Sequence, residues 1–185
     1  MPITFSESAA SNPVGVQGTY PIYAGVYRNG QPAYPSAGDK SATGLLQAAA
    51  VAFGTFLVKD TTNGYDARAA KAITAANQVP LGIAELSDTF VPVDAVGSVK
   101  GYARYMTARV KQHGHIAVTV DEAVGIGDPV RVRITTAVAS YTYRTSAVAN
   151  ATVLVAGAKF ASKTTGAGIA IVALDWTSIA LTADV

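Results

Sequence analysis

The sequence predicts a mostly β protein: a single jelly-roll or small β-barrel domain over residues 41–185, preceded by an extended N-terminal arm over residues 1–40. Three observations carry this expectation. Short apolar runs alternate with polar residues at period 2, the pattern of half-buried strands. Turns rich in Gly separate the runs at short intervals, as in a barrel or sandwich rather than an α/β fold. Pro2, Pro13, Pro21, Pro32 and Pro35 punctuate the first 40 residues and forbid long helix there.

The arm has two readings, a poorly ordered tail or a segment that lies on a partner. Tyr20, Tyr23, Tyr27 and Tyr34 favour the second, because tyrosine offers large contact area at low entropy cost. Residues 47–52 are Ala-rich and allow a short helix, whereas Phe53-Gly54-Thr55-Phe56-Leu57-Val58 reads as a strand. Asn63-Gly64 marks a turn. Residues 65–78 have helical propensity but no bulky residue at i, i+3, i+4, so they read as irregular chain or strand. Residues 79–86, VPLGIAEL, form an apolar strand with Pro80 near its start, where a missing donor is tolerated.

Strands follow at 91–96 and 99–106, where Lys100, Tyr102 and Arg104 alternate with Val99, Ala103 and Tyr105. The clearest pair spans residues 110–133. Ile116, Val118 and Val120 alternate with Ala117 and Thr119, and Asp121-Glu122 ends the run, since carboxylates avoid sheet interiors. Residues 123–126 allow one loose helical turn, and Gly127-Asp128-Pro129 is a turn signature. Val130 and Val132 then alternate with Arg131 and Arg133 in a strand over 129–135, which sets two guanidiniums on its outer face. Runs at 136–144, 150–159 and 168–174 complete the domain.

Composition narrows the function. Half the residues are apolar and only 14% are charged, so much of the surface is neutral and suited to cover by a partner. The net charge of +2, with Lys and Arg scattered, argues against a nucleic-acid partner. There is no cysteine, which excludes disulfides and thiolate metal sites and agrees with assembly in a reducing cytosol. The N-terminus lacks the pattern of a secretory signal, and the longest apolar run, 48–58, is about half a membrane span, so no membrane partner is expected.

Motifs for chemistry are weak. His113-Gly114-His115 places two imidazoles on one strand face, but a third zinc ligand would have to come from Asp121 or Glu122 across a turn. Two exposed strand histidines is the simpler reading. No Gly-x-Ser-x-Gly elbow is present, and the Gly-rich segment 164–168 lacks the Lys of a phosphate loop. Asp121 and Glu122, the one adjacent acidic pair, face opposite ways on a strand. No catalytic residue, metal site or cofactor is therefore expected.

The ordered set of runs resembles the structural cement, or head decoration, proteins of tailed bacteriophages. The motifs that carry the likeness are the strand from Phe53 to Val58, then Pro80-Leu81-Gly82-Ile83-Ala84 and the central-Gly strand from His113 to Val120. The turn from Asp121 to Val124, Gly127-Asp128-Pro129-Val130-Arg131-Val132-Arg133, Ala158-Lys159-Phe160 and the run from Gly168 to Leu174 complete the set. Lys159 stands where the family commonly has Arg, and residues 1–45 are longer and richer in Tyr than the family pattern. The resemblance implies a non-enzymatic, jelly-roll or barrel-like protein on the capsid exterior of a virion assembled in the host cytoplasm. It would clamp neighbouring major capsid subunits on the expanded, DNA-filled head.

Combining residues and resemblance, the expected partners are the major capsid protein and further copies of the chain, as a dimer or trimer. The expected contacts are Tyr20, Tyr23, Tyr27, Arg28, Tyr34, Arg131 and Arg133. The competing reading is a head-fibre or adhesion module that binds carbohydrate, for which a concave cluster of tyrosines with Trp176 would speak.

Overall fold

The period-2 runs become strands. A computed structural model describes residues 27–33, 38–62, 68–86, 93–96, 99–134 and 141–184, which are mostly strand with almost no helix. In chain order the strands are β1 (Pro32–Ala33), β2 (Lys40–Leu46), β3 (Val51–Ala52), β4 (Phe56–Lys59), β5 (Ala69–Ala72), β6 (Pro80–Ala84) and β7 (Val93–Val96). There follow β8 (Val99–Tyr102), β9 (Thr107–Val120), β10 (Pro129–Arg133), β11 (Thr142–Arg144), β12 (Thr152–Phe160), β13 (Gly168–Leu174) and β14 (Ala180–Ala183). One 3-10 turn, Trp176–Ser178, links the last two.

The closed β-barrel core is organised around β9. Its N-terminal half pairs with β2 and β6, and β2, β5, β4 and β6 complete a ring that returns to β9 through Ile83↔Lys111 and Ala84↔Val110. Its C-terminal half pairs with β13, and β13, β12, β10 and β11 complete a second ring through Thr142↔Thr119 and Tyr143↔Val120. Ring closure leaves few open strand edges. A register slip between Lys40 and Ser41, opposite His113 and Lys111, and a φ of +100° at Gly114 put a bulge between the two halves of β9.

Two apolar clusters fill the structure. One unites Ile116, Val118 and Val120 with Val130, Val132, Tyr143, Val153, Phe160 and Val172. The other gathers Leu46, Phe53, Leu57, Tyr102, Ala108 and Val110. Strand β4 is shared: Phe56 and Val58 join the first cluster and Leu57 the second. A strand buried on both faces must be apolar throughout, which is why Phe56-Leu57-Val58 has no polar alternation.

Several local expectations change. No helix forms at 47–52: residues 47–50 are irregular, and Val51 and Ala52 form β3 by pairing with Tyr102 and Gly101. The loose helical turn at 123–126 is a bridge between Val124 and Thr164. The strand expected over 99–106 stops at Tyr102, and Tyr102, assigned to the polar face, is buried with its hydroxyl donating to Glu85 O at 2.7 Å. The residues read as irregular chain or strand at 65–78 include β5, paired with β2 and β4. The Asn63-Gly64 turn lies outside the described residues, as does part of the run at 136–144.

Gly82 is where β6 meets β9. It holds φ +129°, and a Cβ there would stand 2.2 Å from Lys111 O. At Gly127, by contrast, φ is +86° and a Cβ would meet nothing within 4 Å. Gly82→Ala is therefore expected to cost about 3 kcal/mol or more, through backbone strain plus collision. Gly127→Ala should cost about 1 kcal/mol, through conformation alone. Urea unfolding of the two variants checks the order, and equal losses would contradict it.

Candidate binding surface

To the two guanidiniums expected on the outer face of β10, Arg131 and Arg133, the sheet adds a third, Arg144 of β11. Arg131 and Arg144 stand directly opposite each other in the antiparallel register, with Arg133 one outward position along. Like charges facing across strands repel. Three carboxylates answer them. Arg131 Nε lies 3.1 Å from Asp184 Oδ1, and its Nη1 donates to Thr145 O. Arg133 Nη1 donates to Asp121 Oδ2 at 2.8 Å. Arg144 Nη2 donates to Glu122 Oε2 at 2.6 Å, and its Nε is 3.5 Å from Asp121 Oδ1. The Arg131 side chain is only 17% exposed, whereas that of Arg133 keeps 39%.

Asp121 and Glu122 thus end β9 and tie it to the strands of the same ring. Glu122 Oε1 also accepts from Thr145 N at 2.8 Å and Ser146 N at 2.7 Å. Burial disfavours its charge, but the Ser146 N–H, the Arg144 guanidinium and the Thr145 N–H outweigh that and bring its pKa down from 4.5 to about 2.

The described part of the N-terminal segment is stitched to the domain. Gly30 N donates to Ala117 O and Ala117 N to Gln31 O, both at 2.8 Å, and Pro32 and Ala33 pair with Ile116 and His115. The Asn29 side chain spans two elements: its amide donates to Phe53 O, and its Oδ1 accepts from Thr119 N at 2.9 Å. Tyr27 is half-buried, and burial raises the pKa of its hydroxyl, while Arg28 is exposed. Tyr20, Tyr23 and Tyr34 lie outside the described residues. The structure therefore brings Arg131 and Arg133 together on one face and sets Tyr27 and Arg28 beside the end of β9 through Asn29 and Gly30.

Around the bulge of β9 sit buried polar groups. Lys111 Nζ donates to Asp39 Oδ2 at 2.7 Å, and Glu85 accepts from Ser41 Oγ at 2.7 Å and pairs with Arg109 Nε at 3.1 Å. Gly114 makes room for this, since a Cβ there would fall 1.9 Å from Asp39 Oδ1. The two histidines are partly buried strand residues. His113 Nδ1 lies 3.7 Å from Asp175, and burial lowers the pKa of His115, with Asp39 opposing and Lys111 and His113 adding to the fall. Among the described residues no three His, Asp or Glu side chains are grouped to hold a metal ion.

Alternation of residue types missed the apolar side chains that the fold leaves in water: Val79, Tyr105, Ile126 and Val148 among the described residues. Tyr102 and Tyr143 are spent inside the two clusters, so neither contributes to a concave aromatic platform with Trp176. The face of β10 and β11 is thus neutralised within the chain, and apolar side chains stand exposed at isolated points.

A family model described as structural cement protein (E217 gp24/Pam3 gp6) matches residues 16–175. A chain from the solved capsid of Myoviridae phage XM1 is 21% identical and superposes with a TM-score of 0.62, over 80% of this chain and 90% of that one. That likeness is one of fold. No curated protein matches.

The ion-pair network makes the domain sensitive to acid. The folded-state pKa of Glu122 lies below its unfolded value, so its contribution is complete above about pH 4.5 and is lost as pH falls toward 2. Glu122→Gln is expected to lower stability at pH 7 by about 1.5–3 kcal/mol and to flatten the loss over that window. Chemical denaturation from pH 7 down to 2 checks this, and a variant with the parent's pH profile would contradict it.

Proposed function

Because the chain belongs to the structural cement protein family, we propose that it binds across neighbouring major capsid subunits on the outside of the expanded phage head and stabilises the DNA-filled shell. The observation that carries this reading is the family match over residues 16–175, the whole of the double ring included. The chain works by binding and turns over no substrate.

The physics suits the role. A head packed with DNA is under outward pressure, and the junctions between subunits are where it opens. A clip across a junction adds interface there, and a standard interface buries about 1,600 Å². Many copies act on one shell, so each contact can be modest while the shell gains much. A rigid barrel is the right material for such a clip, since a soft one would stretch before it held.

The contacts we assign are Tyr20, Tyr23, Tyr27, Arg28 and Tyr34 from the N-terminal segment, with Arg131 and Arg133 from β10. Of the two strand arginines, Arg133 keeps the larger exposed surface for a partner carboxylate. Ordering chain costs about 1–2 kcal/mol per residue, and tyrosine rings supply the large contact area by which a partner surface offsets that cost. The low charge and apolar excess further suit a dimer or trimer around a local symmetry axis of the head.

The test removes residues 1–26 and leaves 27–33, which the sheet needs. The truncated protein is expected to melt as the full chain does and to lose most of its binding to expanded heads in co-sedimentation. Decoration at unchanged affinity would remove Tyr20 and Tyr23, and the rest of residues 1–26, from the contact. A full-length chain that does not bind heads would overturn the cement reading itself.

A further inference from the structure

We propose that Tyr105, at the turn between β8 and β9, is a capsid contact whose ring enters an apolar depression on a major capsid subunit while Arg104 meets a carboxylate at its rim. This rests on the cement reading above and names a contact that the N-terminal segment does not supply.

Tyr105 is 67% exposed and sits at φ +69°, in the left-handed region. The other non-glycine residue there, among those described, is Asn150, a residue type that tolerates it. For a tyrosine the conformation costs about 1–2 kcal/mol, which glycine would not incur. The ring packs into neither apolar cluster and lies against the Arg104 guanidinium. A large ring held in water at a conformational cost points to a partner.

The turn is also made rigid, which lowers the entropy lost on docking. Tyr105 N donates to Leu46 O at 2.6 Å, Leu46 N to Met106 O at 3.0 Å and Met106 N to Ala103 O at 3.2 Å. Arg104 Nε donates to Gln47 O at 2.8 Å, and its guanidinium carbon lies 4.5 Å from the centre of the Tyr105 ring. Below the turn, the Tyr102 hydroxyl donates to Glu85 O and accepts from Arg109 N.

Charge states the partner's chemistry. Residues 99–112 hold Lys100, Arg104, Arg109 and Lys111 and no carboxylate. Asp39 answers Lys111 and Glu85 answers Arg109, whereas no carboxylate pairs with Arg104 among the described residues. An exposed ring capped by that guanidinium fits an apolar depression with an acidic rim.

The experiment uses the full chain and expanded heads that lack it, with binding read by co-sedimentation and folding by thermal melting. Tyr105→Gly and Tyr105→Asn both accept the left-handed backbone without the ring. Each is expected to melt at or above the parent temperature and to bind heads about tenfold or more weakly. Arg104→Glu should weaken binding at least as much. Binding at parent affinity by both Tyr105 variants, while the parent decorates, overturns the Tyr105 contact and leaves the cement reading standing. Melting of both variants several degrees lower makes the ring structural and also overturns it. A parent that binds no heads fails the cement reading, and the contact with it. A glycan array bound by the parent and lost in Tyr105→Gly, with decoration unchanged, makes the ring a sugar platform and overturns the proposal.

Discussion

The whole fold depends on one strand satisfying two rings at once. β9 pairs with β1, β2, β6, β11 and β13, so its backbone is committed along nearly all its length. A straight strand would serve one ring. The bulge and the positive φ at Gly114 let its halves belong to different ones, and the same glycine admits Asp39 to neutralise buried Lys111. An unpaired charge at that place would be strongly destabilising, so backbone geometry and charge balance are solved by one missing side chain.

Charge balance recurs on the outer face. Arg131, Arg133 and Arg144 would repel if left alone, and Asp121, Glu122 and Asp184 make them part of the framework. These pairs join the end of β9 to β10 and β11, and β10 to the segment after β14. The protein thus spends much of its small complement of charges on itself. Elsewhere among the described residues Lys40, Lys59, Lys100, Arg104, Lys159 and Lys163 stay exposed, with a few apolar points between them.

Legibility followed sequence distance. The run Ile116, Val118, Val120 showed β9, and Val130, Val132 showed β10, because each face is buried by a continuous core. Phe53 to Val58 read as one strand, whereas β4 begins at Phe56, after the turn at Gly54. What stayed hidden depends on distant partners. Arg131 looked like a presented charge because Asp184 is 53 residues away. Asn29 looked like part of an arm, yet it joins Thr119 to Phe53. Tyr105 fitted strand alternation, and neither Gly nor Asn advertised its left-handed backbone. The family likeness, carried by glycines and prolines at bulges and turns, was legible because those residues answer to local geometry. Gly82, at a close approach of β6 to β9, is such a case.

The most direct measurement of the central claim is cryo-electron microscopy of expanded heads decorated with the full chain. The account predicts density for each copy over a junction, in contact with at least two major capsid subunits. Copies that each rest within a single subunit, with no contact across a boundary, would contradict it.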